Sequence, residues 1–325
     1  MRSRRHLLAV AAALLAWLVP AGAVQASGSV PKLLTKFQPI LVLHPGEEFR
    51  PTSVESFVRD SSLEALTGAG IWTIVDPTPT VDDLPTSSPP IWRLNQRACF
   101  AGAPLGDLAC YAAGAADEPG VTVYGRVARD GANIVLQYWL FYYDNLYRYP
   151  FLPLGLIWQS HEGDWEVVNV VLTNTKRPLE VGLSQHCSGE TRAWAETELR
   201  DGHPAVYVAF GSHANYFQPG LHPFDRACLP AGVIAFFQQA GLPLPADVAG
   251  LGTVLGPKRL GLVPTEIEPL TGKSLRWIRF PGFWGELEYV NSPPPIGTQP
   301  FGFSPVGPAF HAVWREPLAT LAGWR

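Results

Sequence analysis

The apolar residues in the central half of this chain are concentrated in short runs rich in Val, Tyr, Phe, Leu and Trp, with turn residues between them. Runs of this composition are typical of β-strands. They predict strands over residues 121–127, 134–143, 165–173, 179–185 and 205–210, after an earlier strand over residues 37–43. The segment 165–173 is almost wholly apolar beyond residue 166, which predicts a strand buried on both faces.

Helical patterns are fewer and shorter. Apolar spacing predicts a helix over residues 53–66, with Thr52 and Glu55 forming a capping box at its start. A second short helix is predicted around residues 233–240, inside Pro- and Gly-rich loops, and residues 76–90 are predicted to form an extended surface loop.

Composition supports a β architecture. The chain contains 31 Gly and 32 Pro, and only 16% of its residues are charged. Many turns and few charged helices favour a mainly β fold. We therefore predict a single-domain β-sandwich over residues 27–325, with a short N-terminal helix, long Pro/Gly-rich loops and one or two further short helices.

The first 26 residues resemble a secretory signal peptide. Three Arg precede an apolar run over residues 7–19, and small residues lead to Ala26. The run is shorter than the roughly 20 residues that a membrane-spanning helix needs. We expect cleavage near Ala26 and a secreted or extracytoplasmic protein without stable transmembrane anchoring. The alternative is an uncleaved N-terminal anchor.

Charge excludes one class of partner. The formal net charge is −4, and removal of residues 1–26, with three Arg and no acidic residue, changes it to −7. No basic stripe is present to meet phosphates, so nucleic-acid binding is not expected.

The four Cys residues favour two disulfides, because an even number in an exported chain is typical of disulfide bonding. Proximity favours the pairs Cys99–Cys110 and Cys187–Cys228 among three possible pairings. Cys99–Cys110 would close a short loop rich in Gly and Ala. No Cys-x-x-Cys spacing supports a zinc site instead.

The segment 161–166, which reads His-Glu-Gly-Asp-Trp-Glu, is the strongest candidate for chemistry. If a strand begins near Asp164, its period of two places Asp164 and Glu166 on one face and Trp165 on the other. Two neighbouring carboxylates repel each other unless a cation or a proton lies between them. His161, in the preceding turn, adds a nitrogen ligand.

Asp144 completes the predicted metal set of Asp144, His161, Asp164 and Glu166, because it ends the preceding aromatic strand. Oxygen ligands with one imidazole suit a divalent cation, with Ca²⁺ or Mg²⁺ favoured and Mn²⁺ or Zn²⁺ as alternatives. The competing interpretation is a pair of solvated carboxylates on an exposed strand. A zinc protease is excluded, since Trp165 stands where the second His of His-Glu-x-x-His is required.

Two further histidines each follow a predicted strand, which places them on a common rim. We predict that His186 and His213 bind ligand together with Ser212 and Asn215, and that one of the two histidines is the candidate general base of any reaction. The alternative is that both are hydrogen-bonded residues at strand ends.

Ordered motifs over nearly the whole mature chain resemble the vacuolar protein sorting-associated protein 62 family. They cover about residues 38–317 and are LHPGEEFRPTSVE at 43–55, YGRV at 124–127, LQYWLFY at 136–142, HEGDWE at 161–166, SQH at 184–186, GSHA at 211–214, WG at 284–285 and SPVGP at 304–308. The family name describes a trafficking phenotype rather than a chemistry.

A fainter resemblance reaches the necrosis-inducing protein family, secreted toxins with a β-sandwich fold and the signature Gly-His-Arg-His-Asp-Trp-Glu. Ser160 replaces the Gly and Gly163 the second His. The resemblance implies that the first His and the two acids of the segment bind a divalent cation together with Asp144, and that His186 lies in the pocket. The missing His argues against toxin activity.

These observations favour a secreted, cation-dependent binding protein whose ligand is a glycan or a lipid head group. The alternative is a metal-dependent hydrolase in which the ion activates water. A membrane-damaging toxin is the third hypothesis and depends on the fainter resemblance alone.

Overall fold

The computed structural model describes residues 32–116, 121–153, 156–264 and 273–324; the predicted signal peptide lies outside them. In these ranges the strands are β1 Ile40–Val42, β2 Ser61–Leu66, β3 Trp72–Asp76, β4 Trp92–Gln96, β5 Val121–Asp130, β6 Asn133–Arg148, β7 Trp158–Thr173, β8 Pro178–Gln185, β9 Ser188–Ala193, β10 Leu199–Arg200, β11 His203–Val208, β12 Asn215–Tyr216, β13 Gly220–Pro223, β14 Ala246–Ala249, β15 Val254–Leu255, β16 Leu260–Pro264, β17 Phe283–Trp284, β18 Leu287–Ser292 and β19 Gly297–Phe303.

Helices are fewer and shorter than strands. The α-helices are α1 Lys32–Phe37, α2 Val54–Asp60, α3 Pro104–Ala116, α4 Ala231–Gln239, α5 Ala312–Arg315 and α6 Pro317–Gly323, with 3₁₀ turns at Trp194–Glu196, Arg226–Cys228, Lys273–Arg279 and Pro308–Phe310. No helix among the described residues is long and apolar enough to cross a membrane.

The largest sheet contains eight strands. Its main order is β16-β5-β6-β7-β18-β19, and β8 and β9 continue from β7 on the same side as β18. At its centre, β6 and β7 pair antiparallel along their full length, from Asn133 opposite Thr173 to Arg148 opposite Trp158.

Strand β7 pairs with β6 on one side and with two different strands along its other side. Its first residues pair with β18 up to Ser160, and its later residues pair with β8 from Val168 onwards. Between these two points, β6 is the strand that pairs with β7 in the described structure. The backbone of residues 161–167 is therefore left without a strand on one side.

A second sheet, of order β10-β11-β1-β15 with β12 beside β11, packs against one face of the large sheet. Leu41 and Val206 from this sheet share a buried apolar core with Leu136 and Tyr138 of β6. Two sheets packed face to face form a sandwich. The predicted mainly β fold is thus confirmed. Two smaller sheets, β17-β4-β2-β3 and β13-β14, lie beside it.

The other face of the large sheet is covered by aromatic residues. Phe141 of β6 packs on Phe57 of α2 at a ring-centroid distance of 5.1 Å, and Trp165 of β7 stacks on Trp277 at 5.6 Å. Because both faces are covered, the paired strands β6 and β7 are buried almost throughout. A polar side chain on these strands therefore needs an internal partner.

The helix predicted over residues 53–66 is wrong in its second half. The helix ends at Asp60, and Ser61–Leu66 form β2, which pairs with β3 and β4. Glu64 of β2 lies opposite Arg93 of β4 and forms a largely buried ion pair with it at 2.6 Å. These long-range pairings override the local helical spacing.

The capping box is also wrong, because Ser53 is the N-cap residue and makes no side-chain cap hydrogen bond. The Tyr124 hydroxyl instead accepts a hydrogen bond from the Val54 N–H, at 2.9 Å. Residues 37–43 begin with the last residue of α1, so the first strand is shorter than predicted.

Both predicted disulfides are confirmed, Cys99–Cys110 and Cys187–Cys228. The predicted loop between Cys99 and Cys110 contains the start of α3, an Ala-rich segment, and Ala has the highest helix propensity. The predicted helix near residues 233–240 is confirmed as α4.

Candidate functional site

The register of β6 and β7 places Asp164 and Glu166 on one face, opposite Tyr142 and Leu140 respectively. Trp165 points to the other face and is 5% exposed. The predicted alternation is confirmed. The strand begins earlier than expected, however, so His161 lies within β7 and not in a preceding turn.

Gly163 interrupts this strand with a left-handed backbone conformation, φ +59°. A Cβ atom at this position would lie 2.2 Å from the backbone oxygen of Trp284. No side chain fits this space, so the close approach of the Trp284 backbone requires glycine.

His213 connects two carboxylates at the centre of the site. Its Nδ1 lies 2.9 Å from Asp164 Oδ2, and its Nε2 lies 3.3 Å from Glu47 Oε1. The His213 ring is fully buried and stacks on the Tyr142 ring, with a centroid distance of 3.8 Å and an interplanar angle of 3°. Both ring nitrogens are engaged, so this geometry makes His213 a positioning residue for the carboxylates.

Opposite charges keep this group ionised. Burial alone would lower the pKa of His213, but Glu47 and Asp164 outweigh it and raise the pKa to about 9. Burial would raise the pKa of Glu47, yet His213 and the backbone N–H groups of Gly211 and Phe49 lower it below its ordinary value. The group of two carboxylates and one imidazolium carries a net negative charge.

Glu166 is held on the same face by two polar neighbours. The Ser184 hydroxyl and the Asn215 side-chain amide both donate to Glu166 Oε2. Burial and the charge of Asp164 nevertheless raise the pKa of Glu166 well above its ordinary value. Glu166 and Ser184 line a cavity of about 210 Å³, which opens where β7 lacks a second strand.

Asp144 is fully buried, and neither of its carboxylate oxygens accepts a hydrogen bond of normal geometry in the described part of the chain. The Asn145 N–H favours its charged form to a small extent. Burial and the charge of Glu162, which lies opposite on β7, raise the pKa of Asp144 well above its ordinary value. A buried carboxylate without partners needs either a proton or a cation.

Glu162 is a fifth carboxylate that was not selected from the sequence. Its Oε2 accepts the backbone N–H groups of Gln96 at 3.0 Å and Glu286 at 3.2 Å, and its Oε1 accepts the Tyr111 hydroxyl at 3.1 Å. Burial, with the charge of Glu286, raises the pKa of Glu162 to about 8. The hydrogen bonds of Glu162 therefore connect β7 to β4, to α3 and to the segment after β17.

His186 forms a second histidine–carboxylate pair. Its Nε2 lies 2.7 Å from Asp247 Oδ2, and this oxygen also accepts the Tyr216 hydroxyl at 2.7 Å. The predicted ligand residue Ser212 is buried and donates to Asp247 Oδ1 at 2.5 Å. The side chain of His186 remains 24% exposed, so this histidine, unlike His213, can meet a ligand.

The His186–Asp247 pair gives a measurable prediction. Burial alone would lower the pKa of His186, but Asp247 raises it above its ordinary value of 6.5. The stabilisation from this proton is therefore fully present below pH 6.5 and is lost as the pH rises through the higher folded-state pKa. We expect Asp247→Asn to lower the titration midpoint of His186, measured by NMR, because the variant removes the charge and the charged hydrogen-bond acceptor that raise this pKa.

The His44 signal is the control for this titration, because burial and Glu47, and not Asp247, shift the pKa of His44. Its midpoint should be the same in both proteins. Equal His186 midpoints in the wild type and the variant would show that Asp247 does not set this pKa.

The donor chemistry of the predicted metal residues fits a hard or borderline cation. His161 Nδ1 lies 2.8 Å from the Gly163 carbonyl oxygen, which orients the ring and leaves Nε2 for a ligand. Asp144 supplies oxygens without hydrogen-bond partners. Within the described ranges, however, no group of three or more His, Cys, Asp or Glu side chains is assembled in a form that could hold an ion. The ligand set therefore stays a prediction.

Sequence reasoning selected Asp164 and Glu166, which share one face, Asp144 on the neighbouring strand, and His213, which is hydrogen-bonded to Asp164. It missed Glu47 and Asp247, the carboxylate partners of the two histidines. Glu47 lies in the motif at residues 43–55, which was quoted only as a family resemblance. No local pattern distinguishes Asp247.

Fold and site together define a mainly β protein with a buried centre of carboxylates and histidines beside an unpaired segment of its central strand. No family model matches the chain. It is 24% identical to vacuolar protein sorting-associated protein 62 of Saccharomyces cerevisiae (strain ATCC 204508 / S288c), over 91% of this chain and 69% of the yeast protein. It is 23% identical to the putative vacuolar protein sorting-associated protein TDA6 of the same yeast, over 80% of this chain and 61% of that protein.

Solved structures with a similar arrangement belong to the toxin fold suggested by the fainter resemblance. One, described as a toxin fold for microbial attack and plant defense, is 12% identical with a TM-score of 0.41, and 89% of each chain is covered. Another, NLPPya in complex with mannosamine, is 11% identical with the same TM-score and coverage. The two resemblances stated from the sequence are therefore both found.

Proposed function

We propose that this chain is a secreted binding protein that uses a divalent cation to recognise a glycan or a glycolipid head group. The observation that carries the proposal is the group of buried carboxylates around Asp164 and Glu166, which has few cationic partners. The ion-pair partners of the carboxylates Glu47, Asp164 and Asp247 in the described structure are two imidazoles and no Lys or Arg. Asp144 and Glu166 add two further carboxylates with strongly raised pKa values.

A divalent cation between Asp144, Asp164 and Glu166 would relieve this repulsion, because it replaces the protons that raised pKa values otherwise demand. Carboxylate oxygens are the ligands that Ca²⁺ and Mg²⁺ prefer. His161 Nε2 is available as a nitrogen ligand, since the Gly163 carbonyl engages only Nδ1. These features support the cation and leave its identity to experiment.

The cavity beside Glu166 has the mixed lining that suits a sugar. Hydroxyl and carboxylate groups from Ser184, Ser188 and Glu166 face the same space as the rings of His311 and Trp324. Sugar hydroxyls bind the polar groups, and the apolar face of a sugar ring packs on aromatic rings. The carboxyl group of Glu166 in this lining disfavours an anionic ligand unless a cation lies between them.

Titration calorimetry of the mature protein with Mg²⁺, Ca²⁺, Mn²⁺ and Zn²⁺ tests the cation. We expect near-stoichiometric binding of at least one ion and a loss of at least about tenfold in affinity in Asp144→Asn, because an oxygen ligand is removed. The control is Asp201→Asn, which changes an exposed carboxylate in the turn before β11. A folded wild type that binds none of the four ions would overturn the proposal, and so would equal loss in both variants.

A glycan array with and without chelator then tests the ligand. Signals that disappear on removal of the ion support cation-dependent recognition. Signals that persist in chelator contradict the role assigned to the cation.

One observation favours the alternative of a metal-dependent hydrolase. The His186–Asp247 pair, at 2.7 Å, has the geometry of a general base oriented by a carboxylate, and His186 borders the cavity at Glu166. The hydrolase hypothesis requires turnover of an ester, phosphoester or glycoside that is lost both with chelator and in His186→Gln. Sugar binding without turnover supports the binding protein.

A further inference from the structure

A second cavity, of about 340 Å³, lies on the other side of His186. One wall is helix α4, and the opposite wall is the start of β7 with the hairpin of β18 and β19. Its lining is dominated by apolar side chains, among them Val233, Phe236 and Phe237 of α4. A volume of this size is typical of small-molecule sites and too small for a protein element.

The apolar rim of this cleft is left partly open. Val233 and Phe236 are only half-buried although they pack against an apolar cluster that includes Phe237, and across the cleft Ile296 and Phe301 are 47% and 48% exposed. Apolar side chains that face each other across an open cleft gain free energy when a ligand removes them from water.

The imidazole of His186 lines the cleft. Its Nε2 is bonded to Asp247, and its other ring nitrogen, Nδ1, makes no hydrogen bond in the described structure. Among the described residues that line the cleft, none is Lys or Arg. The positive charge of a protonated His186 is balanced by Asp247, so the cleft offers no counter-charge to an anionic head group.

The end of the cleft is covalently fixed. Cys187 follows His186 at the turn between β8 and β9, and its disulfide partner Cys228 lies just before α4. The bond therefore holds the helical wall next to the histidine. A binding cleft with a fixed wall does not have to order that wall when a ligand enters.

We propose that this cleft binds the hydrocarbon chain of an uncharged single-chain amphiphile whose hydroxyl group is bonded to the free ring nitrogen of His186. Binding of the chain does not require the cation. His186 and Cys187 also line the cavity beside Glu166. An amphiphile with a sugar as its polar end would extend into that cavity, and only this extension rests on the proposed function.

The test is calorimetric titration of the mature protein with glucose and with hexyl, heptyl and octyl β-D-glucoside, in chelator and below the critical micelle concentrations. We expect no measurable binding of glucose and a roughly three- to fourfold gain in affinity for each added methylene until the cleft is filled. Octanoate should bind at least about tenfold more weakly than octyl glucoside, since its carboxylate finds no counter-charge. Affinity that does not change with chain length overturns the proposal.

Two variants locate the binding. Val233→Trp should fill the cleft and lower octyl glucoside affinity at least about tenfold, while Ile74→Trp, which adds the same side chain on the exposed strand β3, should have no effect. Phe301→Ser changes an exposed rim residue and should lower affinity severalfold in a protein that remains folded. Unchanged affinity in both cleft variants contradicts the assignment.

The two proposals fail separately. If the protein binds no divalent cation but shows the chain-length series, the cleft proposal stands and the proposed function is contradicted. If the protein binds the cation but shows no chain-length series, the proposed function stands and the cleft proposal is contradicted.

Discussion

Replacement of Gly163 by Ala should lower the free energy of unfolding by about 2–5 kcal/mol. The left-handed backbone conformation costs an Ala about 1–2 kcal/mol, and the 2.2 Å approach of its Cβ to the Trp284 oxygen forces a backbone shift in a packed core, which costs a further 1–3 kcal/mol or so. Urea denaturation of the variant and the wild type measures the difference.

Gly131 provides the matched control. It has a similar φ of +55°, but a Cβ atom there meets no heavy atom within 4 Å. Gly131→Ala should therefore lose only the backbone contribution of about 1–2 kcal/mol. Equal losses in the two variants would show that contact with Trp284 is not the cause.

This position also bears on the toxin hypothesis. The signature of the necrosis-inducing proteins has a His at the position of Gly163. In this chain the Trp284 backbone occupies the space that the Cβ atom of that His would need. We expect Gly163→His to be at least as destabilising as Gly163→Ala. In this chain, therefore, a single substitution at position 163 would not restore the signature without a shift of the Trp284 backbone.

The second large effect is expected at Glu162. Glu162→Ala should cost about 3–5 kcal/mol at pH 7, because the buried N–H groups of Gln96 and Glu286 and the Tyr111 hydroxyl all lose their acceptor. Glu162→Gln should change stability by no more than about 1 kcal/mol, since an amide oxygen at the Oε2 position accepts both N–H groups. Chemical denaturation distinguishes the two variants, and equal losses contradict the hydrogen-bond account.

The contribution of Glu162 to the free energy of unfolding depends on pH, and the sign of this dependence is defined. The pKa of Glu162 is raised from 4.5 to about 8, so the folded state holds this proton more tightly than the unfolded chain. Its contribution is fully present below pH 4.5 and is lost as the pH rises to about 8. Glu162→Gln does not titrate, so its stability relative to the wild type should increase across this interval.

Local periodicity was sufficient for one part of the site. The alternation of Asp164, Trp165 and Glu166 fixes their faces, because neighbouring residues on a strand always point to opposite sides. The same rule could not identify Glu47 or Asp247, since they reach the histidines through pairings between distant segments. A period-based argument has no access to such contacts.

The helix over residues 53–66 shows the opposite error. Its first half has true helical spacing, and Val54, Phe57 and Val58 are fully buried in α2. Beyond Asp60, cross-strand partners on β3 and β4 are available, and pairing with them decides the conformation. Secondary-structure propensity is a weak prior when tertiary partners compete with it.

The aromatic packing of Trp165 has a spectroscopic consequence. Its indole stacks on Trp277 with an interplanar angle of 9° and meets Trp284 at 88°, with centroids 5.6 Å and 5.3 Å away. Indoles this close couple their electronic transitions, so the near-ultraviolet circular dichroism should contain a strong signal from this group. Because Trp165 lies between Asp164 and Glu166 in the chain, any ligand that displaces the two acids should change that signal without an added label.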